Sequence, residues 1–233
     1  MRLQVFLSHN GICSRREAMT VIQSGRVKVN GRTIKEPSFD VQGGESILVD
    51  GHPVAVKKYT YVMLNKPVGF TTTKDDPHAE KIVLDLLPKD LHHVSPVGRL
   101  DQDSEGFLLL TNDGALAHRL MHPRFHLDKI YVVHVKGRLS TDTQKKLEQG
   151  ITIEDEKTAP CRIHKVRYNG PHTEFEMTIH EGKKRQIRRM LISVGHVVYF
   201  LKRISIGPLG LGDLKVGQWR HLTQQEVGQL KRD

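Results

Sequence analysis

Four apolar residues in unbroken succession, Phe107 to Leu110, stand between a charged run beginning at Arg99 and a turn at Asn112 to Gly114. They constrain the fold more than any other stretch. A strand with one wet face alternates apolar and polar side chains, whereas a strand apolar at every position is covered on both faces. The chain must therefore build a sheet with packed layers on either side. The same stretch raises a chemical question, because Arg99, Asp101, Asp103 and Glu105 fall within seven positions directly ahead of it. Such a cluster is either a solvated loop or a site.

The surrounding sequence reads as α+β. Tyr61 to Asn65 has strand character and turns through Pro67 and Gly69, while the apolar approach to the cluster predicts a strand reaching about Leu100. Asp113 caps a helix in which Leu116 and Leu120 share a face. From Lys129 to Gly137 the alternation sets Ile130, Val132 and His134 against Tyr131, Val133 and Val135. Cys161 to Tyr168 and Thr173 to His180 give two more strands, so the sheet is mixed and mostly antiparallel, with flanking helices. Ile187, Met190, Leu191 and Val194 then follow the spacing of a buried helical stripe. On that helix Arg185 and Arg189 are expected on the far side, with Arg188 at the margin of the stripe, suited to reach into a pocket.

Ahead of this larger domain, expected over 59–233, residues 1–58 read as a small module. Leu3, Phe6 and Leu7 have helical spacing; Ser14 and Glu17 form a capping box for a second helix that carries Ala18, Val21 and Ile22. Val27 and Val29 alternate with Arg26 and Lys28, and Asn30-Gly31 predicts a type I′ hairpin. Arg15 and Arg16 sit in the first turn of the second helix, where the dipole disfavours cations unless an anion is bound. A solvated helix end is the alternative.

The formal charge is +10, with a pI near 9.6, which makes an acidic polymer the first partner to consider. Within residues 61–233 the cation surplus of 6 equals that of His180 to Arg203 alone, where Lys183, Lys184 and Arg185 crowd a helix start. Two cysteines are too few for a disulfide scaffold or a zinc cluster and fit a reducing cytoplasm. The longest apolar runs fall far short of the roughly 18 residues of a membrane span. The motifs of zinc hydrolases, NTPases and α/β-hydrolases are missing, so those readings lack their mechanical parts. A loop carboxylate within reach of an arginine serves as a nucleophile or base, and a pair such as Asp101 with Asp103 or Glu105 also fits glycoside hydrolysis.

Two resemblances weigh these alternatives. Arg2 to about Asp50, with its Ser-Arg-Arg helix start, Gly25 and Val-Lys-Val-Asn-Gly strand, resembles the S4 domain, which implies RNA binding. The segment GRLDQDSEGFLLLTNDG, together with LNKPVGF, DKIYVVHVKG, EGKKRQIRRM and LKRISIGPLGLGDLKVGQWRHLT in the same order, resembles the RsuA-type family of bacterial ribosomal RNA pseudouridine synthases. Phe107 departs from that pattern by an apolar exchange for Leu. The resemblance implies isomerisation of a uridine without cofactor or metal, by a cytoplasmic monomer acting on ribosomal RNA or a pre-ribosomal particle. It places the catalytic role on Asp101, base stacking and the movement of a proton on Tyr131, and a basic partner for Asp101 at Arg188; Leu201 matches a residue lining the uridine pocket or is a core leucine. Arg99 is expected as a structural residue or phosphate contact, and Arg15, Arg16, Lys28, Lys66, Lys184, Arg185, Gln186 and Arg189 as RNA contacts. Asp103 and Glu105 are expected to be solvated. Arg185-Gln186-Ile187-Arg188 leans towards 23S over 16S rRNA. The rivals are a non-catalytic ribosome-assembly factor and a nucleoside glycosidase.

Overall fold

The computed structural model describes residues 1–125 and 127–232. It opens with two helices, α1 (Leu3–His9) and α2 (Arg15–Gln23). The start of α2 follows its sequence: Ser14 Oγ accepts the Glu17 amide at 3.3 Å while Glu17 Oε2 accepts the Ser14 amide at 2.8 Å. Four short strands form a sheet, β1 (Val27–Val29), β2 (Arg32–Ile34), β3 (Ile47–Val49) and β4 (His52–Pro53), in the order β2-β1-β3-β4. Asn30 and Gly31 turn between the first two with φ of 49° and 80°, the backbone that a type I′ hairpin requires. Leu3, Leu7, Ala18, Ile22, Val27, Val29 and Ile47 close a core of their own.

The larger unit contains β5 (Tyr61–Lys66), β6 (Ser95–Val97), β7 (Glu105–Thr111), α3 (Gly114–Met121), β8 (Lys129–Lys136), α4 (Thr141–Glu148), β9 (Thr152–Ile153) and β10 (Glu156–Lys157). It continues with β11 (Arg162–Asn169), β12 (His172–Ile179), α5 (Gln186–Ser193), β13 (Val198–Ile206), β14 (Leu209–Gly210), β15 (Trp219–His221) and α6 (Gln224–Arg232). Nine strands make one sheet, ordered β11-β12-β8-β13-β7-β5-β15, with β14 beside β13 and β6 beside β7. β13 runs parallel to β7 and antiparallel to β8. The α+β class and the mostly antiparallel sheet are as the sequence predicts.

β7 is covered on both faces. Leu108 and Leu110 join Val62, Leu64, Val133, Met177 and Leu201 against the α5 stripe of Ile187, Met190 and Leu191. Phe107 and Leu109 join Met63 on the opposite face, against Leu116 and Leu120 of α3 and Leu230 of α6. β6 stops at Val97 rather than near Leu100, because Gly98 takes φ +71° and the chain leaves the sheet to form the charged loop. Among the described residues no helix is long and apolar enough to cross a membrane.

The two units meet at Asn112. His9 places Nδ1 2.9 Å from the Asn112 carbonyl and Nε2 3.0 Å from that of Lys57. Asn112 Oδ1 accepts the Thr60 amide, and Asn10 Oδ1 the Lys57 amide.

Candidate active site

A single row of residues runs across the sheet beneath the charged loop. Lys66 on β5 faces Gly106 on β7, Gly106 faces Arg203 on β13, Arg203 faces Tyr131 on β8, and Tyr131 faces Met177 on β12. Gly106 is required twice over: its φ is +111°, and a Cβ there would collide with the Arg203 carbonyl. The missing side chain leaves room for a buried cation on either side, Lys66 at 0% and Arg203 at 3% exposure.

Asp101 sits on the loop above this row, its side chain 33% exposed. Lys66 Nζ spends its three protons on the carbonyls of Pro67 (3.1 Å), Asp101 (3.1 Å) and Ser104 (2.8 Å), which pins the turn at Asp101 and again at Ser104. Burial pushes the Lys66 ammonium down to about 8, against the pull of Asp103, Asp101 and Glu105. The Thr72 hydroxyl donates to the Leu100 carbonyl at 2.7 Å and accepts the Leu100 amide at 3.3 Å. The Gly69 amide donates to the Gln102 carbonyl, and Gln102 Nε2 returns a bond to Gly69. The loop is thus tied to Lys66 and the turn after β5 at Leu100, Asp101, Gln102 and Ser104.

Several sequence expectations are corrected here. Lys66 is not placed to touch RNA, because it is wholly buried with its donors spent. Arg188 pairs with Asp103 instead of Asp101: its Nη2 donates to the Asp103 carbonyl at 2.8 Å and to Ser104 Oγ at 3.2 Å, and its Nε lies 3.5 Å from Asp103 Oδ2. Burial pushes the Arg188 guanidinium down and Asp103 draws it back up. The arginine nearest the Asp101 carboxylate is Arg185, at 3.9 Å from Oδ2. α5 begins only at Gln186, and Arg185 precedes it with φ +52°, a left-handed backbone that swings the side chain towards the loop and not to the far side of the helix. There it grips Asp103 with both terminal nitrogens, at 3.0 and 2.8 Å. Asp103 is therefore no free loop residue; partial burial pushes its carboxyl up, but Arg185 and Arg188 outweigh that and leave it below the ordinary range. Glu105 is likewise held, 3.2 Å from Lys202.

Tyr131 is 8% exposed, and Leu201 is buried in the same core. Gln186 is buried, its Nε2 bonded to Glu181. Arg189 and Lys183 are paired with Glu154 and Glu156 at 2.5 and 2.7 Å, around a cavity of about 250 Å³. Arg16, Lys28, Arg99 and Lys184 are exposed. Arg15 is also exposed and leans against Gly114 at the start of α3. Among the described residues no cluster of metal-ligating side chains occurs. Arg203 was missed by sequence reasoning, although a period of two already puts it on the face of Leu201.

Comparison with known proteins agrees with this architecture. Residues 60–193 match the RNA pseudouridylate synthase family, and residues 1–47 match the S4 domain. The chain is 44% identical over 232 residues to an "Uncharacterized RNA pseudouridine synthase" of Aquifex aeolicus, covering 99% of this chain and 93% of that one. It is 40% identical, over 99% of its length and 95% of the relative's, to the "Ribosomal large subunit pseudouridine synthase B" of Bacillus subtilis. A crystal structure of a pseudouridylate synthase superposes with a TM-score of 0.71 at 30% identity, covering 99% of each chain. The chain belongs to the RNA pseudouridylate synthase family, isomerases of uridine in RNA, and carries an S4 domain at its N-terminal side.

Proposed function

We propose that the chain isomerises a uridine of 23S ribosomal RNA in the cytoplasm, as a monomer, with Asp101 as the reacting carboxylate. Residues 1–58 act as the RNA-binding module and 59–233 as the catalytic domain. The observation that carries the reading is the Asp101 loop: its main chain is fixed by Lys66, Thr72 and Gly69, while its carboxylate stays partly open beneath Arg185. A carboxylate carried on a fixed main chain, with Arg185 no nearer than 3.9 Å, is preorganised for reaction. The 23S assignment is supported by the likeness to the large-subunit enzyme of Bacillus subtilis.

In the reaction the N1–C1′ bond breaks, uracil takes the bonding pair, turns, and rejoins C1′ through C5, which loses its proton as N1 gains one. Asp101 acts either as nucleophile or as base towards the ribose, and both roles need its ionised form. Tyr131 stacks on the base of a uridine unstacked from its helix or loop. Arg185 and Arg188 hold the loop through Asp103, and the exposed Arg16, Lys28 and Lys184 contact phosphates.

Pseudouridine mapping of both ribosomal RNAs, in cells lacking the gene and complemented with wild type or Asp101→Asn, tests the proposal. One 23S site should vanish, return with wild type and stay absent with the variant. A lost 16S site would refute the 23S assignment, and full activity of Asp101→Asn would refute the chemistry.

A further inference from the structure

Arg203 carries a charge that the fold does not answer. Among the described residues no ion pair reaches its guanidinium, and its Nη2 has no hydrogen-bond partner although the residue is 3% exposed. A buried cation without a carboxylate costs several kcal/mol, and an apolar side chain two residues after Leu201 on the same face would avoid that cost. Burial of Lys66 and Lys129 places two more cations close by, and Arg203 pushes both of them further down. The position is also tightly specified. Nε donates to the Phe107 carbonyl at 2.8 Å, and Gly106 allows the Arg203 backbone to pass where a Cβ would stop it.

We propose that Arg203 is a positioning residue for pseudouridine formation, holding the Tyr131 hydroxyl by its oxygen so that the phenol proton is left for the uridine. The proposal rests on the reading of Tyr131 as a residue that meets the base. Arg203 Nη1 lies 3.4 Å from the Tyr131 hydroxyl, and the guanidinium carbon 6.0 Å from the ring centre. Arginine has donors only, so the phenol oxygen must accept in this contact. Its single proton then points elsewhere. The unanswered charge has a natural counterpart in the reaction, because uracil becomes electron-rich as it takes the N1–C1′ bonding pair. Acting through the Tyr131 hydroxyl, the cation favours proton transfer to that electron-rich base over the bound ground state.

A double-mutant cycle tests this on the ribosomal RNA transcript that the wild-type enzyme modifies. Arg203→Met should lower kcat roughly 30-fold and change KM for RNA by less than about threefold. In a Tyr131→Phe background the same change should cost less than about threefold, since the group it serves is gone. Arg203→Lys, which keeps one donor, should recover part of kcat. Additive losses in the two backgrounds, or a loss carried in KM, would overturn the proposal alone. Wild-type turnover by Tyr131→Phe, which keeps the stacking ring and loses only the hydroxyl, would overturn this proposal and leave the stacking role of Tyr131 standing. Should Arg203→Met not fold, the cycle with Arg203→Lys decides by the same criterion.

Discussion

Lys66 shows how much one side chain can fix. With three protons spent on three carbonyls and no solvent contact, it holds the Asp101 turn from below. Lys66→Met should strand those carbonyls and cost about 2–4 kcal/mol, read from the denaturant midpoint. Its pH signature has a definite sign. The folded ammonium titrates at about 8, below the roughly 10.4 of an unfolded lysine. The cost of burying the charge is therefore fully present below pH 8 and fades as pH rises towards that unfolded value. The stability gap between wild type and Lys66→Met should widen across that window. Asp103 offers a second test: Asp103→Asn removes the carboxylate shared by Arg185 and Arg188 and should slow pseudouridine formation roughly tenfold, against roughly a thousandfold for Asp101→Asn. The candidate Asp101 was legible from its motif. The grip on Asp103 was not, because its partner lies 82 residues away and faces the loop only through a left-handed turn at Arg185.

Among the elements, those with a broad apolar pattern were readable: β5, β7, β8 and the α5 stripe all lie where periodicity puts them. α4 and α6 were not read, since each buries a single apolar residue, Leu147 or Leu230, too little to show a period. α6 is instead specified at its start. Thr223 Oγ1 accepts the Glu226 amide at 3.2 Å, while Glu226 accepts the Thr223 amide and two bonds from Arg220. Arg220 and the Thr223 bonds, opposed by partial burial, hold the Glu226 carboxyl down to about 2. Its contribution is therefore present above the unfolded carboxyl range and lost as pH falls towards 2. Glu226→Gln should lower stability at pH 7 by about 1 kcal/mol and flatten the decline in acid, measured by thermal melting across pH. In the row beneath the loop, Gly106→Ala should push β13 away from β7, with loss of activity and a lower melting temperature.

On the scale of the whole molecule, the +10 charge makes RNA affinity salt-dependent. Arg16→Gln, an exposed change far from Asp101 in sequence, should weaken binding and reduce the slope of log K against log salt by about 0.7–0.9, as for one lost phosphate contact. An unchanged slope would remove Arg16 from the RNA surface. Connectivity adds a constraint in time. β5 and β7 come from residues 61–111 and β8, β12 and β11 from 129–179, and the two sets have no neighbouring strands until β13 enters between them. Asp101 rides on the first set and Tyr131 on the second. A chain emerging from the ribosome therefore carries both residues long before they belong to one sheet. The last-made of the central strands acts as a keystone: only when Val198–Ile206 pairs with both β7 and β8 do the Asp101 loop and Tyr131 come to share one sheet.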